Sequence, residues 1–174
     1  MNPGREVVTW RDDLRDAFER LNREWIEEYF VVEPADLAVF GDPYGTIVAP
    51  GGQIFFVLHD GTPVATCAIV LQPDGDFELA KMAVTASARQ HGYGNMLASL
   101  AIEYARRAGA PGVVLLSSRK LLPALRLYHR LGFEEVPLGP DQSYARSDVK
   151  MRLPLGQAPA PAAQPALDRS GPIA

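Results

Sequence analysis

The apolar positions Leu14, Phe18, Leu21, Trp25, Ile26 and Tyr29 recur every three or four residues within 11–29. That is the period of an amphipathic helix, with a break expected near Asn22. Pro34 suits the first turn of a short second helix through Leu37 and Phe40, which Gly41-Asp42-Pro43 would end. Three strand-like runs follow, at 53–59, 64–71 and 77–84, separated by Asp60-Gly61 and Pro73-Asp74-Gly75. Such tight-turn signals between strands predict an antiparallel meander. The helical period then returns. Met96, Leu97, Leu100, Ala101 and Tyr104 share one face of 95–108, with Arg106 and Arg107 near its end and Gly109 beyond it. Residues 113–116 read as a buried strand. Pro123 opens a helix carrying Leu125, Leu127, Tyr128 and Leu131, which Gly132 would stop. Residues 133–136 and the alternating Val149, Met151 and Leu153 give two last strands. With one strand ahead of the first helix, the predicted order is strand, two helices, three meander strands, helix, strand, helix, two strands.

At 174 residues, 47% apolar and 22% charged, the chain has material for one domain with a sizeable core. Residues 156–174 are dominated by Ala and Pro, with Leu167 and Ile173 their only large apolar members. They are expected to form a flexible tail after a domain spanning 1–155. The net charge of −4 argues against a nucleic-acid binder. Cys67 is the sole cysteine, which excludes an internal disulfide and fits a reducing compartment, so a cytoplasmic location is expected. No apolar run reaches the roughly 18 residues of a membrane helix, and residues 1–6 lack a secretory pattern. No internal repeat is present.

The segment Arg89-Gln90-His91-Gly92-Tyr93-Gly94 lies between a strand ending near Val84 and a helix starting near Asn95. A glycine-rich turn entering a helix leaves backbone N–H groups unpaired and aimed at one point, where the helix dipole also favours an anion. The same two glycines would also serve as plain turn formers. If the turn binds a ligand, phosphate or pyrophosphate is the natural class. A dinucleotide fingerprint would need a third glycine and a later acid where this chain has Leu97 and Val114. A Walker loop would need Gly-Lys-Ser/Thr where it has Gly94-Asn95-Met96.

Glu78-Leu79-Ala80-Lys81-Met82-Ala83-Val84, the R-x-x-G-x-G turn, and Leu127-Tyr128-His129-Arg130-Leu131-Gly132-Phe133 occur in that order. Together they resemble the GNAT superfamily of acetyl-CoA-dependent N-acetyltransferases, over most of 5–155. The runs Leu21 to Phe30 and Tyr144-Ala145-Arg146 are similar to a bacterial branch that supplies no substrate. The resemblance implies a mixed α/β fold: a mainly antiparallel twisted sheet, flanked by helices and splayed where the parallel strands 77–84 and 113–116 part. It implies acetyl-CoA as co-substrate and no metal. The backbone of Met82, Ala83 and Val84 would pair with the pantetheine arm. The amides of Arg89, Gln90, His91, Gly92, Tyr93, Gly94 and Asn95 would hold the pyrophosphate, with the Arg89 and His91 side chains in reach of it. Acetyl would pass directly to a primary amine through a tetrahedral intermediate, with a backbone N–H near Val84 for the oxyanion.

In some members of the family an acid at the place of Glu78 acts as base, often through water; an edge-strand acid beside Lys81 is the plainer reading. Six residues separate it from Val84, an even count that puts both side chains on one strand face. The family tyrosine matching Tyr128 protonates the departing thiolate. Ser117-Ser118 stands where many relatives have an asparagine, so a pantetheine contact rests on Ser118, and Leu116 replaces a frequent second acid.

Trp25, Tyr29 and Glu33 are candidates for the acceptor pocket, within an acidic group of Glu27, Glu28, Glu33 and Asp36 that would attract a cationic amine or form a solvated face. His59, His91 and His129 lack metal-ligand spacing. Cys67 reads as a small core residue. Two other functions fit the residues: a non-catalytic acyl-CoA sensor, or an interaction protein using the acidic helix and the tail. The acceptor stays open among polyamines, amino acids, antibiotics and protein amines, and a homodimer is the common assembly for a soluble chain.

Overall fold

Apolar runs buried on both faces and shorter alternating stretches give seven strands, β1 (Arg5–Thr9), β2 (Gln53–His59), β3 (Thr62–Leu71), β4 (Phe77–Val84), β5 (Gly112–Ser117), β6 (Glu134–Val136) and β7 (Val149–Pro154). The helical stretches are α1 (Arg15–Tyr29), α2 (Pro34–Gly41), α3 (Tyr93–Arg107) and α4 (Leu122–Arg130). The computed structural model describes residues 4–140 and 143–156. The stretch anticipated as a tail lies outside them from residue 157 on.

The strands form one sheet in the order β1-β2-β3-β4-β5-β7-β6. Every neighbouring pair is antiparallel except β4 and β5. That parallel pair is joined only at Phe77–Val113 and Glu78–Val114. Beyond Glu78 the two strands part, leaving their inner edges without a ladder partner. Phe55, Val57, Cys67, Ile69 and Leu79 pack against α3 on one sheet face. Ile54, Phe56, Leu58 and Ala68 pack on the other with Phe18 and Ile26 of α1 and Phe40 of α2.

The elements follow the predicted order, with local differences. Helix α1 runs unbroken through Asn22, whose side-chain amide donates to the Phe18 carbonyl at 2.9 Å and accepts from Trp25 Nε1 at 3.4 Å. A buried asparagine satisfied in this way need not interrupt a helix. A 3₁₀ turn, Asp12–Leu14, leads into it. After α2 the chain re-coils as a π turn over Tyr44–Val48. Asp42 drives this: its carboxylate accepts the Gly45 N–H at 2.9 Å, and its carbonyl accepts the Thr46 hydroxyl at 2.6 Å.

The most consequential difference is in β4. Thr66 faces Ala83 and Ala68 faces Ala80, so β4 carries one residue more than β3 between them. This is a β-bulge, with Lys81 in the left-handed region at φ 51°. Glu78 pairs with Val70, and Val84 with Ala65. Val70 and Ala65 lie on opposite faces of the regular strand β3, so Glu78 and Val84 do too. The single shared face expected from even spacing is therefore wrong, because the bulge resets the alternation.

Candidate active site

The split between β4 and β5 opens into a cavity of about 410 Å³. Its walls are β4 from Glu78 to Val84, the end of β5 with Ser118, the α4 residues Leu127 and Tyr128, and Trp25 and Tyr29 of α1. The Thr85 N–H donates to the Val64 carbonyl at 2.9 Å. The adjacent pair Ala65–Val84 is therefore of the non-hydrogen-bonded kind, and the Val84 N–H and C=O point away from β3 into the split.

Helix α3 begins at one end of this opening, two residues earlier than the spacing predicted. Gly92 precedes it at φ 76° and Gln90 sits at φ 68°, a left-handed geometry that glycine adopts without steric cost. The first bond of the helix runs from the Met96 N–H to the Gly92 carbonyl at 3.1 Å. The N–H groups of Tyr93, Gly94 and Asn95 thus have no acceptor in their own helix. A methyl group on Gly94 would touch Leu127 and Met82 at 3.5 and 3.8 Å, ordinary contact distances. Gly94 therefore keeps this end of the cavity open rather than relieving a clash.

The basic side chains of the turn are already engaged. Arg89 forks onto Glu28 at 2.6 and 3.2 Å. The His91 ring lies parallel to Tyr93 at 5.6 Å, with Nδ1 at 3.0 Å from the carbonyl oxygens of Ala88 and Arg89. Glu24 accepts the Thr85 hydroxyl at 2.8 Å and the Ala86 N–H at 2.9 Å. Two acids of α1, Glu24 and Glu28, thus clamp the loop.

Glu78 lines the cavity half-buried, and burial raises its carboxyl pKa, opposed by the charges of Lys81 and Lys150. Tyr128 is 9% exposed and packs edge-on against Phe133. Burial raises its phenol pKa, so the hydroxyl stays protonated at neutral pH. Tyr128 belongs to the α3-side core and Glu78 to the opposite face, so the cavity joins the two through the sheet. Ser118 is buried, its hydroxyl accepting the Lys120 N–H at 3.3 Å. Burial likewise raises the Cys67 thiol, which lies wholly inside the core.

Sequence reasoning missed a buried ion network beside Glu78. Asp36, with no exposed surface, accepts from Lys81 Nζ at 2.7 Å and from both terminal nitrogens of Arg146 at 2.7 and 2.8 Å. These cations hold its pKa at about 2 against the upward pull of burial. Lys81 also donates to the Tyr144 hydroxyl at 2.7 Å, and Arg146 to Glu33 at 3.0 Å. Glu33 accepts the Ala145 N–H and caps α2. It does not line the cavity. Glu33 and Asp36 are thus structural partners of cations, not a solvated acidic patch. Glu33 and Asp36, three residues apart around Pro34, carry the spacing of a capping box, the one local signal that pointed this way.

Among the described residues no cluster of three or more His, Cys, Asp or Glu is arranged for a metal, and no helix is long and apolar enough to cross a membrane. Comparison with curated proteins gives no sequence match. The fold is similar to that of an acetyltransferase of the GNAT family from Staphylococcus aureus Mu50, with a TM-score of 0.80 and 16% identity over 87% of this chain and 99% of that one. It is also similar to yncA from Salmonella typhimurium, solved with acetyl-CoA (TM-score 0.72, 17% identity, 92% and 99% covered). The ribosomal-protein-S18-alanine N-acetyltransferase from Escherichia coli gives a TM-score of 0.68 at 19% identity, with 90% and 97% covered. The model of the acetyltransferase (GNAT) family matches residues 9–133, well over half the sequence and every wall of the cavity except the segment around Tyr144, and by that match the chain belongs to the GNAT acetyltransferase family.

Proposed function

We propose that the protein transfers the acetyl group of acetyl-CoA to a primary amine, and that the transfer takes place where β4 and β5 part. The observation that carries this is one continuous cavity. It joins the Val84 N–H on the inner edge of β4, the open N-terminus of α3, the Tyr128 phenol and the Glu78 carboxyl. Membership of the family and the acetyl-CoA bound in yncA support the same reading. The residues fit the ligand: free N–H groups at 93–95 suit a pyrophosphate, and the Val84 edge suits an extended amide-bearing arm. Acetyl-CoA supplies the acetyl group as an activated thioester.

Glu78 takes the proton from the incoming ammonium, directly or through one water, since an amine of pKa about 10.4 must be deprotonated to attack. The Val84 N–H faces the split and stabilises charge on the carbonyl oxygen. Tyr128 serves the sulfur as it leaves. A buried phenol holds its proton more tightly than a thiol of pKa about 8.5, so its work is chiefly a hydrogen bond to the charge building on sulfur. Direct transfer needs no nucleophile from the protein, consistent with Cys67 being buried. A buried, unpaired thiol also suits a reducing compartment such as the cytoplasm.

Two substitutions test this. Gly94→Leu adds a side chain that grows into the cavity between Leu127 and Met82. Acetyl-CoA affinity by calorimetry is expected to fall by about tenfold or more with little change in thermal stability; unchanged affinity overturns the binding assignment. Tyr128→Phe keeps the ring against Phe133. Turnover should drop by about 10- to 100-fold with acetyl-CoA affinity within a few-fold of wild type. Equal single-turnover rates would make Tyr128 a packing residue.

A further inference from the structure

We infer that the acceptor is a small amine that also carries a carboxylate next to an apolar group, an amino-acid-like zwitterion, with Lys120 and the inner edge of Arg146 receiving the carboxylate. This rests on the acetyl-transfer reading above. Of the side chains lining the cavity, Glu78 is the one carboxylate, whereas Lys81, Arg89, Lys120 and Arg146 are cations. Three of these cations have their acids outside the lining: Asp36 for Lys81, Asp36 and Glu33 for Arg146, and Glu28 for Arg89. Lys120 has no carboxylate partner among the described residues. Once the paired charges cancel, one negative charge at Glu78 and one positive at Lys120 remain among the lining residues, with Lys150 acting on Glu78 from outside them. A zwitterion complements both. A polyamine brings several positive charges to one carboxylate.

The positions agree with the charges. Lys120 reaches from the β5–α4 connection over the Phe30 ring, 5.6 Å from its centre, so its ammonium lies on the α1 side of the sheet, the Glu78 side. Arg146 makes three hydrogen bonds, two to Asp36 and one to Glu33. A guanidinium has five N–H donors, so part of its fork is left for an anion. Trp25, Tyr29 and Phe30 supply an apolar wall between these groups. A carboxylate held by a charged donor in such a site gains more than a neutral amide would.

The test compares matched acceptors by thiol release: phenylalanine, leucine and methionine, each against its primary amide, with phenethylamine and spermidine alongside. Acetyl-CoA binding is measured calorimetrically in parallel. For at least one pair, kcat/KM for the free acid should exceed that for the amide by about tenfold or more. Lys120→Ala should reduce that ratio to about threefold or less, and Lys120→Glu should invert it. Amides, phenethylamine or spermidine reacting as well as the acids overturns the inference, as does a ratio that Lys120→Ala leaves unmoved. If acetyl-CoA binds and no carboxylate-bearing amine reacts, this inference alone falls. If acetyl-CoA does not bind, the reading beneath it falls as well.

Discussion

Replacing Glu78 by Gln should lower turnover by about 10²- to 10⁴-fold near neutral pH, the range set by loss of a positioned base. The isostere keeps the shape of a half-buried side chain, so the fold should be little affected. The sign of the pH dependence follows from the acceptor. Below the amine's pKa the wild-type enzyme must remove a proton that the variant cannot accept. As pH rises towards about 10, free amine accumulates and the gap should close. Burial raises the Glu78 carboxyl, against the pull of Lys81 and Lys150. The acidic limb of the wild-type profile should therefore lie above the ordinary glutamate value and be absent from the variant. A mutant-to-wild-type ratio that stays flat across pH would assign Glu78 to binding or structure.

Asp36→Ala is expected to cost about 3–5 kcal/mol in chemical denaturation, because it strands the buried Lys81 without its acid and leaves Arg146 with Glu33 alone. Asp36→Asn keeps the volume and one acceptor and should cost less. The folded-state pKa of Asp36 is depressed to about 2. Its contribution is complete above the unfolded carboxylate value near 4 and is lost as pH falls through about 2. The stability difference between wild type and Asp36→Asn should therefore shrink between pH about 4 and about 2. A difference that stays constant over that window would mean Asp36 is not ionised in the native state.

The two substitutions also mark how far the residues alone could lead. The strands and helices were legible because each reports a local period, and the turn before α3 because its chemistry lies within six neighbouring residues. Asp36 illustrates the limit. On the sequence it is one acid among several, and only packing across 45 residues to Lys81 and 110 to Arg146 makes it buried. Nothing local distinguishes such an acid from a solvated one. Glu33 lies outside the cavity lining for the same reason, held by Arg146, 113 residues away. The unbroken course of α1 through Asn22 was hidden because a buried amide can turn back on its own helix. The pairing of Arg89 with Glu28 was hidden likewise, since it bridges elements 61 residues apart.

The bulge at Lys81 makes β4 unusually sensitive to chain length. Most surface segments absorb an inserted or deleted residue at small cost. In β4 the six-residue step from Glu78 to Val84 places the two on opposite faces only because the bulge takes up one residue. Deleting one residue at 81 or 82 would restore an uninterrupted ladder with β3, which in isolation favours pairing. With residue 82 deleted, Glu78 would stay opposite Val70 and Val84 opposite Ala65, each on its present face, but Lys81 would pair with Cys67 and turn towards the α3-side core, away from Asp36. The extra residue therefore serves the ion pair of Lys81 with Asp36, and not the placement of Glu78 or Val84. Indel tolerance along the chain should therefore show a sharp minimum inside this strand, away from any loop.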